Sequence, residues 1–267
     1  MTVTSRHTAS AGFTLVELSV VLVIIGLIIG GILLGQNLLH AAEIRAIYTD
    51  AQRYITAVGN FQDKYQSLPG DMYNAESVWG QAAAGVACDT TNNGNKTTCS
   101  GDGNGQIEGG VIIVGAAGTE TNESFRAWQH LNNADMIAFK ATGIPGPVNS
   151  FDAVPGTNVP SSRAGGGFTL YHFITGVWSF VGPTYNNVLL FGLPIPGNVT
   201  ANAVLSASDA QSIDLKIDDG KPGTGSVVTM TNTMQPSCAS SDTATTATYA
   251  TSASASRVCT MLFITGF

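Results

Sequence analysis

Charge is scarce in this 267-residue chain: Asp, Glu, Lys and Arg make up 11% of it, against ~25% in an average soluble domain. Bases are scarcer than acids, 11 to 18, and the net charge is −7. A nucleic-acid partner needs a basic patch to meet its phosphates, and this composition has little from which to build one. Catalytic signatures are missing as well. The chain contains no G-x-S-x-G elbow, H-E-x-x-H pair, P-loop or dinucleotide fingerprint, so no enzyme class is indicated. Its four histidines are scattered and no two cysteines form a CxxC, which argues against a zinc site. Nothing in the sequence requires a cofactor. Low hydrophobicity is also absent: 44% of residues are hydrophobic, which excludes a disordered polar chain.

Those apolar residues are concentrated near the start. From Leu18 to Ala42 there are 25 consecutive residues without Asp, Glu, Lys or Arg. As a helix this run is ~38 Å long, enough to cross a hydrocarbon core of ~30 Å. A helix buried in a soluble protein rarely stays apolar on every face for so long. A membrane span is therefore expected. The leader ahead of it, Met1 to Gly12, is polar, and no small-x-small cleavage site follows the apolar run. That order differs from a secretory signal peptide.

At the junction stands Gly12-Phe13-Thr14-Leu15-Val16-Glu17-Leu18. It resembles the cleavage and methylation site of type IV prepilins and type II secretion pseudopilins. The resemblance implies that a prepilin peptidase cuts between Gly12 and Phe13 and that Phe13 is then N-methylated. It implies three parts: leader 1–12, a helix 13–42 that serves first as anchor and then as filament core, and a head 43–267. The protein would sit once across a bacterial inner membrane, N-terminus cytoplasmic and head periplasmic, before entering a pilus or pseudopilus. Implied partners are other pilin or pseudopilin subunits, an inner-membrane platform protein and an assembly ATPase. A carboxylate in an apolar span is costly unless paired, and Glu17 has no basic residue near it: Arg6 lies in the leader and Arg45 beyond the span. The amine freed at Phe13 would supply the missing charge. The resemblance implies that the pairing forms between neighbouring subunits and guides assembly. A second reading makes the chain a minor or tip subunit whose head captures a surface or secreted substrate. Abundance in sheared filaments discriminates the two.

Past the span the pattern is amphipathic. Ile44, Ala51, Val58 and Tyr65 recur every seven residues with Tyr48, Ile55, Phe61 and Leu68 between them, helical spacing with one face to bury. Leu68-Pro69-Gly70 stops the run, so one helix from about Phe13 to Gln66 is predicted. A short core helix is expected around Phe125, Trp128 and Leu131, capped near Asn122. Strands are expected at Gly167–Phe173, Val177–Val181, Val188–Leu193 and Val227–Met230, between Gly, Pro and Asn turns. Ser208 with Gln211 reads as a capping box for a helix through Lys216, and the Ala, Ser and Thr-rich stretch 239–257 as a loop outside the core. The predicted class is α+β: a long N-terminal helix, membrane-spanning in its first half, packed against an antiparallel sheet in a pilin-like head.

The cysteines, Cys88, Cys99, Cys238 and Cys259, all follow the span, on the side expected to be oxidising, where disulfides are the default. Three pairings are open. Pairing sequence neighbours closes loops of 10 and 20 intervening residues, each contributing roughly 3 kcal/mol if unstrained. The second would resemble the disulfide-bounded C-terminal region of type IV pilins. Two oxygen-rich loops are candidates for calcium: Asp102, Asn104 and Glu108 in the first, Asp214, Asp218 and Asp219 in the second. The second resembles the calcium loop of major pseudopilins.

Overall fold

The computed structural model describes residues 12, 14–83, 96–109, 123–173, 180, 185–231, 234–252 and 256–267. They fall into two compact units, one ending at Glu43 and one running from Ile44 to Phe267. Helix α1 (Leu15–Tyr65) supplies residues to both.

In the first unit α1 starts on a reciprocal cap. Glu17 N–H donates to Thr14 Oγ1 at 3.2 Å, while Thr14 N–H donates to Glu17 Oε2 at 2.8 Å, the two halves of a capping box. From Leu15 to Glu43 every residue is exposed except the half-buried Gly35. Leu15, Leu27 and Leu38 expose 88%, 72% and 72% of their surface. Apolar side chains all round a helix demand an apolar surrounding. This is the one helix among the described residues long and apolar enough to cross a membrane.

In the second unit α1 buries Ile44, Ile47, Ala51, Tyr54, Ala57, Val58 and Phe61. The predicted stripe is present but its centre is rotated. Ile47 and Tyr54 lie at the middle of the buried face, while Tyr48, Ile55 and Tyr65 sit half-buried at its margin. The helix ends as the stop signal demands: Gln66 and Gly70 take positive φ, +55° and +90°. A Cβ on Gly70 would stand 2.4 Å from the Glu123 carbonyl oxygen, so only glycine lets the chain pass there. A five-residue helix α2 (Ala75–Trp79) follows, then α3 (Glu123–Asn133). Trp128 of α3 meets Tyr54 edge-on at 5.0 Å.

The sheet is antiparallel throughout, β1 (Gly167–His172), β2 (Asn187–Gly192), β3 (Val227–Thr229) and β4 (Met261–Ile264), in the order β1-β2-β4-β3. Alternation along the strands divides two cores. Phe168, Leu170, Leu189, Phe191, Val227, Met261 and Phe263 face the core shared with α1 and α3. Val188, Leu190, Val228 and Leu262 face a second core with Phe173 and Tyr185. The first sequence-predicted strand forms within a residue of its expected end, the 188–193 and 227–230 strands likewise. Val177–Val181 lies, Phe180 apart, outside the described residues, as do Cys88, Phe13 and Asn122. β4 was not anticipated. Met261-Leu262-Phe263-Ile264 sits between two strands with both faces covered, and a continuous apolar run carries no alternation to read.

Two sequence expectations are corrected. Helix α4 (Ala207–Ile217) is capped by Ser206 rather than Ser208: Asp209 N–H donates to Ser206 Oγ at 3.1 Å, and Ser206 has the extended backbone of a cap. Either serine could serve by residue type, and the chain enters the helix two residues earlier than the box Ser208/Gln211 suggested. The 239–257 stretch is not merely a surface loop. Tyr249 joins the main core, while Ala239, Ala244 and Ala247 bury against Phe180. Small side chains allow close approach: a Cβ on Gly223 would lie 2.7 Å from Ala244 Cα.

Candidate functional site

The junction at the N-terminus places Gly12 in the open, with no described atom within 4 Å of a Cβ built on it. Among the described residues, nothing requires glycine at this position. Glu17 is exposed, and its carboxylate also accepts from the Thr14 hydroxyl at 2.8 Å. Its acceptor oxygens therefore serve the start of its own helix. Phe13, between Gly12 and Thr14, lies outside the described residues.

The end of α4 brings Asp214, Asp218 and Asp219 together, with one oxygen from each lying within 4.8 Å of the others. One helical turn links the first two: Asp218 N–H donates to the Asp214 carbonyl at 2.6 Å. Asp214 is fully buried, and its carboxylate accepts from the Tyr249 hydroxyl at 2.8 Å and Gly220 N–H at 3.2 Å. Burial pushes its pKa up to about 7, and the nearby Asp219 and Asp218 charges push the same way. Asp218 Oδ2 accepts from Ser226 and Val227 N–H, and Asp219 from Lys221 N–H and the Thr224 hydroxyl. Tyr249 was missed because it stands 35 residues from Asp214, inside the low-complexity stretch. A lone aromatic among Ala, Ser and Thr was the available signal.

The earlier loop assembles differently from its sequence reading. Asn104 Nδ2 donates to Asp102 Oδ2 at 2.9 Å and to Glu108 Oε2 at 3.3 Å, so the three expected residues are linked. Asp102 however clusters with Asp71 and Glu123, within 4.8 Å, and neither of those was anticipated. Both are buried. Asp71 accepts from Asn104 and Gly105 N–H at 2.9 and 3.0 Å. Glu123, at the first turn of α3, accepts from Asp102 and Glu108 N–H at 3.2 and 3.1 Å. Burial drives the Glu123 pKa up to about 8, opposed by those two N–H groups and aided by the Asp71 and Asp102 charges. Burial likewise raises Asp71, to about 6. Beside them His130 is buried and neutral, its pKa pushed down to about 3 by burial and then by the Arg126 charge. Its Nδ1 accepts from Gly70 N–H at 3.0 Å, so it ties the chain turn to α3.

Both clusters offer only hard oxygen donors, which suits a divalent cation of the calcium type rather than a soft metal. Cys238 and Cys259 form a disulfide. Cys99 is also disulfide-bonded, and its expected partner Cys88 lies outside the described residues. No protein-family model, curated protein or solved structure matches the chain.

Proposed function

We propose that this chain is a structural, non-enzymatic subunit of a type IV pilus or type II secretion pseudopilus, processed by a prepilin peptidase. One observation carries the reading. The junction Gly12-Phe13-Thr14-Leu15-Val16-Glu17 runs into the first turn of a helix whose residues through Leu39 expose apolar side chains on every face. A single-pass anchor of this kind needs lipid first and, on leaving the membrane, other apolar helices. Glu17 would then trade its local Thr14 partners for the amine of a neighbouring subunit, which offsets the cost of its desolvation and favours one axial register. An inner-membrane platform protein and an assembly ATPase would drive extraction.

Co-expression with a prepilin peptidase tests the reading directly. N-terminal sequencing should then find Phe13 first, and a bulky residue at Gly12 should block cutting. Glu17→Ala should be cut and inserted nearly normally, since the span needs no carboxylate to insert, yet enter filaments poorly. Wild-type assembly of Glu17→Ala would sink the pairing mechanism. We also propose calcium at Asp214, Asp218 and Asp219, where the donor chemistry fits and the fold gathers two further carboxylates around the buried Asp214.

A further inference from the structure

Asn104 is followed by Gly105 in the loop between Asp102 and Glu108. An asparagine before glycine can lose its amide without an enzyme. The glycine backbone nitrogen, unobstructed by a Cβ, attacks the side-chain carbonyl carbon and ammonia leaves. Water then opens the resulting succinimide to aspartate or isoaspartate. One water is consumed, one ammonia is released, and no oxidant is needed. In the folded head each group this reaction uses is already engaged. Gly105 N–H donates to Oδ2 of the buried Asp71 at 3.0 Å. The Asn104 amide nitrogen donates to Asp102 and Glu108 at 2.9 and 3.3 Å, and its Oδ1 accepts from Gln106 N–H at 2.7 Å.

We infer that Asn104 is a spontaneous deamidation site that the folded head holds closed, and that it reacts when the 102–108 loop lifts away from Asp71. For attack, the Gly105 nitrogen must leave Asp71 and the Asn104 side chain must turn, which breaks its three side-chain hydrogen bonds. The product cannot restore the loop. A carboxylate at position 104 replaces two N–H donations with a negative charge facing Asp102 and Glu108, which repel it. Isoaspartate also lengthens the backbone where two N–H groups must meet one carboxylate. Loop opening is thus recorded covalently and in one direction.

The test uses the full chain in detergent at neutral pH with chelator present, followed by peptide mass spectrometry across residue 104. Conversion in the folded protein should be slower than in denaturant by on the order of tenfold or more, because it must await local opening. Glu108→Ala and Asp102→Ala, each removing one acceptor of the amide, should speed conversion in the folded protein while matching wild type in denaturant. Either variant alone suffices if the other does not fold. Asn104→Asp, which mimics one product, should melt at a lower temperature than wild type. Equal folded and unfolded rates for wild type, or folded variants that convert no faster than wild type, would overturn the inference.

Discussion

Asp71, Glu123 and Asp214 are carboxyl groups held where their charged form is unwelcome, and this sets how the head responds to pH. Each has a folded-state pKa above its ordinary value, about 6, about 8 and about 7 against 3.8, 4.5 and 3.8. A raised acid binds its proton more tightly when folded, so the stability it contributes is full below the unfolded pKa and fades as pH rises through the folded one. In chelator, the melting temperature should therefore fall between about pH 4 and about pH 8. Glu123→Gln should flatten the upper part of that slope. A melting temperature constant or rising across this window would contradict the burial argument. A bound divalent cation should reverse the trend, since it favours the ionised carboxylates and stabilises the folded state by mass action. Adding calcium at pH 8 should raise the melting temperature, and Asp218→Ala should reduce the response. A melt indifferent to both calcium and chelator would leave two ordinary acidic turns. At this scale the sequence named Asp214, Asp218 and Asp219 from their closeness in the chain. It gave no sign of Asp71 or Glu123, which reach Asp102 only through the packing of α3 against the turn at Gly70.

Among the elements, α4 offers a clean test because two serines compete for one role. Ser206→Ala should cost about 1 kcal/mol, the usual worth of a lost helix cap, while Ser208→Ala should cost little. Urea unfolding of the two variants measures the difference, and equal losses would return the cap to Ser208. The same element shows the limit of reading boundaries from residue type. Ser, Asp and Gln recur at cap spacing, and only the backbone at Ser206 decides which serine is used. α1 was legible because its first half is a long uncharged apolar run and the faces of its second half differ. β4 was not, because a strand covered on both sides carries no alternation. Its partners, β2 and β3, come from sequence positions on either side of α4, and no local pattern announces that pairing.

For the molecule as a whole, the contact boundary at Glu43 and Ile44 makes a direct prediction. The main core draws its α1 residues from Ile44 onward, and from Leu15 to Glu43 every residue but the half-buried Gly35 is exposed. A chain beginning at Ile44 should therefore be soluble without detergent and unfold cooperatively, with the Cys238–Cys259 disulfide intact by peptide mapping. Aggregation of that fragment, or loss of the disulfide, would show that the preceding helix is needed for the head to fold. The sequence alone determined the features that are local in the chain. These are the uncharged run of membrane length, the junction before it, the amphipathic continuation and the α+β class. Each depends on periodicity or on residues close together in the chain. Tertiary structure decided the rest: the strand order β1-β2-β4-β3, the burial of the alanine-rich stretch, and the meeting of Asp71, Asp102 and Glu123. Those contacts join residues far apart in sequence, and their cost in chain entropy is recovered only when the whole core closes around them.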